Sequence, residues 1–455
     1  MLGRRDILRY LTGMAAYIAT SAHDRRARAM TTKRPNFVII MADDLGYGNL
    51  SCYGQQKFGT PAIDTMALEG IRFTDHYAGS SICAPSRASF LTGFHVGHSR
   101  IKSNAGEEPL RYEDVTLAEH LRANGYATGV IGKWGLGGIG TTGHPNKQGF
   151  DYFFGYLGHR EAHRHYPASL WRNDQLIELA GNNPESATGT NYAHYLFTQE
   201  AESFVLRNRN RPFLLFLAYT LPHAELIVPE SELAPWRGSF DEIPYAGDER
   251  AGYAPQRTPR AAFAAMVTLL DRDVGRILAL IRELGIEKDT LIAFTSDNGP
   301  AVEGGSDPDF FVSSGGLRGA KGSLYEGGIR VPLIVRWSGH VPAAQESNLP
   351  SANWDILPTL IETAGGVSPP GIDGISLLPT LLGKPDAQVK HDYLYWELNF
   401  NEALRMGRWK ALRGVEAKRI ALYDINHDPR EERDVADQNP EVVAQAEEYL
   451  ASAKK

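Results

Sequence analysis

Two apolar runs, about 250 residues apart, each end in oxygen-bearing side chains. The first, Phe37-Val38-Ile39-Ile40-Met41, leads into Ala42-Asp43-Asp44. The second, Thr290-Leu291-Ile292-Ala293-Phe294-Thr295, leads into Ser296-Asp297-Asn298-Gly299. Apolar runs without alternation read as strands covered on both faces. Such strands belong inside a sheet that carries helices on either side. The spacing predicts further strands over Tyr126–Lys133, Phe213–Tyr219 and Val331–Trp337. Helices punctuate the gaps. Thr60-Pro61 opens one and Gly70 closes it. Thr116-Leu117-Ala118-Glu119 is a capping box, with Gly125 after its helix. A long helix from Thr258-Pro259 to about Glu283 carries one apolar face. The expected class is therefore α/β, a mostly parallel central sheet with helices on both faces.

The polar residues fall at one edge of that sheet. Asp43, Asp44, Lys133, His223, Asp297 and Asn298 all follow the C-terminal ends of predicted strands, where open α/β sheets bind ligands. Adjacent carboxylates repel each other, so positive charge is expected between them. Oxygen-only ligands suit a hard cation, Ca²⁺ or Mg²⁺.

A third segment brings different chemistry. In Ser81-Ile82-Cys83-Ala84-Pro85-Ser86-Arg87-Ala88-Ser89-Phe90-Leu91-Thr92-Gly93, Pro85 suits the first helical position and Gly93 the residue past the end. Cys83 then sits at a helix N-terminus, where free N–H groups and the macrodipole favour an anion. Arg87, four residues on, shares its face.

This segment resembles the signature of the type I sulfatases, formylglycine-dependent enzymes of the alkaline phosphatase superfamily, through Cys83, Pro85, Ser86, Arg87, Leu91, Thr92 and Gly93. The resemblance, which covers about residues 34–455, implies hydrolysis of sulfate esters. It implies that Cys83 is oxidised by a dedicated formylglycine-generating enzyme to Cα-formylglycine, whose hydrate is the nucleophile. The implied metal ligands are Asp43, Asp44, Cys83, Asp297 and Asn298, with calcium favoured over magnesium. The implied catalytic residues are Cys83, Arg87, Lys133, His223, Asp297 and Lys321. Asp297 is cast as base, His223 as the acid beside the leaving group, and Lys321, in Gly319-Ala320-Lys321-Gly322, as the second sulfate-binding lysine.

One position departs from the family. Gly132-Lys133-Trp134-Gly135-Leu136-Gly137 resembles Gly-Lys-Trp-His-Leu-Gly, with Gly135 in place of the histidine. In the family that histidine assists the formylglycine hydroxyl, so the base for breakdown of the sulfated intermediate is left unassigned here, and His144, His159 and His163 are the nearest replacements by sequence. Two rival functions follow from the same residues. One is a phosphonate or phosphodiester hydrolase of the superfamily; the other is a carbohydrate-binding pseudoenzyme, for which Gly135 is the sole support.

The segment His159-Arg160-Glu161-Ala162-His163-Arg164-His165-Tyr166 sets histidines and arginines beside aromatics, as binding a sulfated sugar would require. His159, His163 and Arg164 are the substrate-binding candidates; a zinc site from His159, His163 and His165 is the alternative. The sequence from His144 to Tyr156 resembles a carbohydrate-sulfatase branch acting on galactose or N-acetylgalactosamine 4-sulfates.

Near the N-terminus, Arg4-Arg5 before the modest apolar run Tyr10–Ala22 resembles a twin-arginine export signal over residues 1–29. That segment holds six Arg and two Asp, so its removal takes the net charge from −7 to −11. An acidic chain of this kind is a poor nucleic-acid binder. Only Cys52 and Cys83 are present, so no disulfide framework is expected. Nothing after the N-terminus is apolar enough to insert stably in a membrane, and the expected location is the periplasm or outside the cell. The catalytic domain is expected over residues 34–384. A subdomain over 385–455 should hold four short antiparallel strands and a final helix from Asn439-Pro440.

Overall fold

The computed structural model describes residues 34–105, 108–414 and 419–454. The expected export signal lies outside them. In chain order the strands are β1 (Asn36–Ala42), β2 (Ile71–Phe73), β3 (His76–Tyr77), β4 (Ala127–Lys133), β5 (Tyr152–Tyr156), β6 (Ser169–Arg172), β7 (Gln175–Glu178) and β8 (Phe213–Ala218). They continue with β9 (Thr290–Ser296), β10 (Leu333–Arg336), β11 (Gln345–Ser347), β12 (Ser351–Ala352), β13 (Leu394–Leu398), β14 (Asn401–Met406), β15 (Trp409–Arg413) and β16 (Ile420–Asp424). The longer helices are α1 (Pro61–Leu68), α2 (Cys83–Thr92), α3 (Leu117–Ala123), α4 (Ala193–Asn208), α5 (Pro259–Glu283), α6 (Ile356–Thr363) and α7 (Pro440–Ser452).

Ten strands form one sheet in the order β11-β2-β10-β9-β1-β8-β4-β5-β6-β7. Its centre, β9-β1-β8-β4-β5, is parallel throughout. Antiparallel pairs flank it: β10 against β9 and β2 on one side, β5-β6-β7 on the other. β1 shows why the apolar run reads as it does. Val38, Ile40 and Ala42 enter a core shared with α1, α4 and α5. Phe37, Ile39 and Met41 enter a second core shared with α2, α3 and α6. Successive side chains point to opposite faces, and both faces are covered, so every residue of the strand is buried.

The C-terminal sheet, β13-β14-β15-β16, is antiparallel in sequence order. One face packs Tyr395, Leu404 and Leu422 against Ala446 and Leu450 of α7. The other packs Trp396 and Ala403 against Tyr77 and Trp354 of the main body. The indole N–H of Trp396 donates to the carbonyl of Ala78 at 2.8 Å.

One local expectation is corrected. α2 starts at Cys83, not at Pro85, which sits at the third helical position. The first-turn N–H groups have no intrahelical partner, so the proline costs nothing there. Gly93 does close the helix, at φ 76°.

Candidate active site

Four parallel strands and α2 converge at the C-terminal edge of the sheet. β1 delivers Asp43 and Asp44, β9 delivers Asp297 and Asn298, β4 ends in Lys133, and the turn after β8 delivers His223. All six side chains are buried. The edge is tied across its strands: Asp43 N–H donates to Leu221 O at 3.2 Å, and Asp44 N–H to Asp297 Oδ1 at 3.1 Å. Asp44 takes a positive φ of 62°.

Cys83 Sγ lies 3.5 Å from Asp43 Oδ1. Asn104 Oδ1 caps the first turn of α2 by accepting from Ala84 N–H at 2.9 Å. The helix N-terminus does not make Cys83 a thiolate. Burial dominates and pushes the thiol well above its ordinary range, with Lys133 opposing. As an unmodified cysteine, residue 83 is a neutral thiol.

The cations are held in place by carboxylates. Lys133 Nζ donates to Asp43 Oδ2 at 2.7 Å. Arg87 donates to Asp297 Oδ2 from both Nε (3.0 Å) and Nη2 (2.8 Å), and from Nη1 to the Lys133 carbonyl at 2.9 Å. Lys321 Nζ bridges Asp44 Oδ2 at 2.8 Å and Glu303 Oε1 at 2.5 Å. Burial acts to raise Asp43, but Lys133, His223, Arg87 and Lys321 outweigh it and hold that carboxyl well below its usual value. Asp44 goes the other way: burial lifts it to about 7, Lys321 opposes, and the Asp43 carboxylate adds to the rise. Burial also raises Asp297, with Asp43 next. Three carboxylates with different proton affinities in one buried centre are a poor structural device and a good cation site.

The donors fit a hard metal ion. Asp43, Asp44, Cys83 and His223 place ligand atoms within 4.8 Å of one another. Asn298 Nδ2 donates to Asp44 Oδ1 at 2.7 Å, which leaves Asn298 Oδ1 buried without a hydrogen-bond partner. A buried, unpaired carbonyl oxygen on a side chain bonded to Asp44 is what an oxygen-coordinated cation would use.

His223 is fixed by its neighbours. Its Nδ1 faces the carbonyl of Ala224, which can only accept, so Nδ1 carries the proton. Nε2 then lies 3.2 Å from Lys321 Nζ and 3.4 Å from Asp44 Oδ2. Burial, then Lys321, holds the ring neutral. His163 stacks on it, with centroids 4.3 Å apart.

The histidine-rich segment is split between roles. His159 and His163 reach the centre, with rings 5.4 Å apart. His165 turns away to pack on Tyr192, with Nε2 3.1 Å from the His223 carbonyl. The three rings therefore form no common zinc site. Arg164 pairs with Glu225 at 3.0 Å. His144 lies elsewhere, its Nδ1 accepting from Asn146 N–H and its ring edge-on to Phe153. The sequence reading missed Glu303, the second anchor of Lys321, and Tyr253, whose ring lies 5.7 Å from that of His163. Neither belongs to a motif, and only the loop paths bring them in.

The family model described as Sulfatase matches residues 35–367. The chain belongs to the sulfatase family. It is a sulfuric ester hydrolase. A second model, described as N-sulphoglucosamine sulphohydrolase, C-terminal, matches residues 320–455 of this sulfatase. The sulfatase is 35% identical to arylsulfatase A of Homo sapiens, over 83% of this chain and 74% of that protein. It is 29% identical to N-acetylgalactosamine-6-O-sulfatase of Bacteroides thetaiotaomicron, over 98% of each. Among solved structures it resembles Ps i-CgsB in complex with k-i-k-neocarrahexaose, at a TM-score of 0.77 and 26% identity, covering 93% of this chain and 94% of that one. Among the described residues, no helix is long and apolar enough to cross a membrane.

Proposed function

We propose that this sulfatase removes O-sulfate groups from saccharides, with residue 83 as a formylglycine hydrate and a calcium ion at Asp43, Asp44, Asp297, Asn298 and residue 83. The observation that carries the reading is the buried set of three carboxylates with Cys83 Sγ 3.5 Å from one of them, the unpaired buried oxygen of Asn298, and the cations Arg87, Lys133 and Lys321 paired to those carboxylates. The hydrate would supply a hydroxyl nucleophile where an unmodified neutral thiol offers little. Calcium would neutralise charge on the sulfate oxygens.

The chain's own groups divide the remaining work. Arg87, Lys133 and Lys321 hold the sulfate and stabilise charge as it develops. Asp297 takes the hydroxyl proton, oriented by two Arg87 bonds to its Oδ2 and by Asp44 N–H at its Oδ1. His223 and Lys321 act as a pair toward the leaving alcohol. With the His223 proton held on Nδ1, the proton for the alcohol comes from the Lys321 side of that pair. His159, His163 and Arg164 line the saccharide side. The relative named N-acetylgalactosamine-6-O-sulfatase and the complex with k-i-k-neocarrahexaose support a sulfated galactose or N-acetylgalactosamine unit, although the relative's name carries the 6-position rather than the 4-position expected from the sequence. Residues 1–29 act as the export signal, residues 34–384 form the catalytic domain and residues 385–455 the C-terminal subdomain.

Two measurements test this. The mass of the residue-83 peptide should show formylglycine after expression with a formylglycine-generating enzyme. A panel of sulfated mono- and oligosaccharides should be desulfated faster, by kcat/KM, than an aryl sulfate or an aryl phosphate diester. Preference for the phosphate diester would establish the phosphodiesterase alternative. Full occupancy by formylglycine without turnover on any ester would establish the binding-protein alternative.

A further inference from the structure

The side chain that position 135 lacks has a neighbour waiting in its place. Gly135 lies two residues past the end of β4 with φ 74°. A Cβ built there would stand 3.6 Å from Nδ1 of His159. Strand register explains the approach. β4 and β5 are parallel and pair Lys133 with Tyr156. The pairing continues past both strands, with Trp134 N–H donating to Tyr156 O at 3.0 Å and Gly135 N–H to Leu157 O at 3.2 Å. The chain leaving β5 therefore runs beside the chain leaving β4 and brings His159 against residue 135.

His159 is only 8% exposed, and its buried Nδ1 has no hydrogen-bond partner. Buried polar atoms are rarely left unpaired without a functional reason. Burial, then Lys133, with Arg87 also contributing, keeps the imidazole neutral. A neutral ring offers one N–H and one lone pair. His144 and His163 each also hold a buried, unpaired Nε2, but His144 packs against Phe153 away from the centre and His163 lies face-on to His223, whereas His159 alone of the three meets position 135. Gly135, Leu157, His159, Glu161 and Trp171 also line a cleft of about 300 Å³, so the ring borders space for a ligand.

We infer that His159 takes the place of a side chain at position 135 and hydrogen-bonds the sulfate group that Lys133 and Arg87 hold. The inference rests on the sulfate-ester reading above. It gives the side chain absent at position 135 a counterpart from the loop that follows the neighbouring strand.

The test uses the full chain loaded with calcium and with Cys83 unmodified, as verified by intact mass, so that binding is read without turnover. Inorganic sulfate is titrated calorimetrically. Wild type should bind, and Lys133→Ala should not. His159→Ala should bind about tenfold more weakly, the worth of one hydrogen bond to a charged group. His159→Gln, which keeps an N–H donor, should recover most of that loss. The His159 ring-nitrogen resonances, assigned by their absence in His159→Gln, should move when sulfate is added. Unchanged affinity in both His159 variants with unmoved resonances would overturn this inference alone. Failure of wild type to bind sulfate, or indifference to Lys133→Ala, would overturn the sulfate reading with it.

Discussion

Lys410 Nζ lies 2.8 Å from Glu326 Oε1, and both side chains are wholly buried. Lys410 belongs to β15 of the C-terminal sheet, whereas Glu326 follows the Lys321 loop of the catalytic body. Tyr77 donates to the other Glu326 oxygen at 2.7 Å, and Glu431 Oε2 accepts from Glu326 N–H at 2.8 Å. Burial acts to raise Glu326, but Lys410, followed by Arg330 and Arg405, holds it down at about 2. The C-terminal sheet thus secures the segment that leads back to the active centre.

Breaking that pair from one side should be costly. Lys410→Met strips a buried carboxylate of its nearest cation and leaves it to the more distant Arg330 and Arg405, so the loss should approach the roughly 3–5 kcal/mol typical when one partner of a buried pair is removed. Denaturant unfolding should show a loss of this size. Adding Glu326→Gln should return part of it, because the stranded charge is then gone. A loss within about 0.5 kcal/mol, the range of ordinary surface changes, would show that the pair does not hold the sheet.

Glu431 should give the protein an unusual pH response. Burial raises its carboxyl to about 7, with Lys410 opposing and Glu326 adding to the rise. The folded state binds this proton more tightly than the unfolded chain does, so the group favours folding most below its ordinary value near 4.5. That contribution is lost as pH rises from there through about 7. Glu431→Gln, which cannot ionise, should flatten the stability profile over this window. Thermal melts of both proteins from pH 4.5 to 8 would check it; parallel profiles would refute it.

The sheet and its ligand edge were legible because each rests on local pattern. Val38 to Met41 and Leu291 to Phe294 could be buried on both faces only in a covered parallel sheet, and Asp43 and Asp297 could only follow their strands. Asn439-Pro440 marked the start of the final helix, and α7 does begin at Pro440. The start of α2 was not, because Pro85 is tolerated anywhere in a first turn. The meeting of His159 with Gly135 was not legible either. It depends on β4–β5 register and on the loop beyond each strand, and no local pattern in the sequence encodes that. The helix dipole at Cys83 was visible in sequence, but burial, which outweighs it, is a property of the assembled core.

Metal removal should be felt in stability as well as activity. A calcium ion bound to the folded state alone adds RT ln(1 + [L]/Kd), about 2.7 kcal/mol when the free ion is at one hundred times its Kd. Chelation should lower the melting temperature, and calcium should restore it better than zinc, since the donors apart from residue 83 are oxygens. Asn298→Ala should abolish most of the calcium response while keeping the fold. Stoichiometric zinc by elemental analysis, with no calcium or magnesium, would contradict the assignment.

Arg87 is expected to resist its most conservative replacement. Its guanidinium makes three directed bonds: two to one Asp297 oxygen and one to the Lys133 carbonyl. It therefore links α2 to β9 and β4 at once. It also stands 3.7 Å from Asp43 Oδ1, within reach of the group that Lys133 and Cys83 share. Lysine keeps the charge but has a single ammonium on a flexible stem, with no fork to span these acceptors. Arg87→Lys should therefore leave the net charge of the centre unchanged while releasing Asp297 from its fixed orientation. Misplacement of a group near 1 Å in an active site can cost about 10²-fold in rate, so kcat/KM should fall by at least that factor. Calcium affinity should fall by much less, because the carboxylates remain. Equal losses in calcium binding and turnover would mean that Arg87 acts through the metal site. Near-normal kcat/KM would mean that its charge alone suffices.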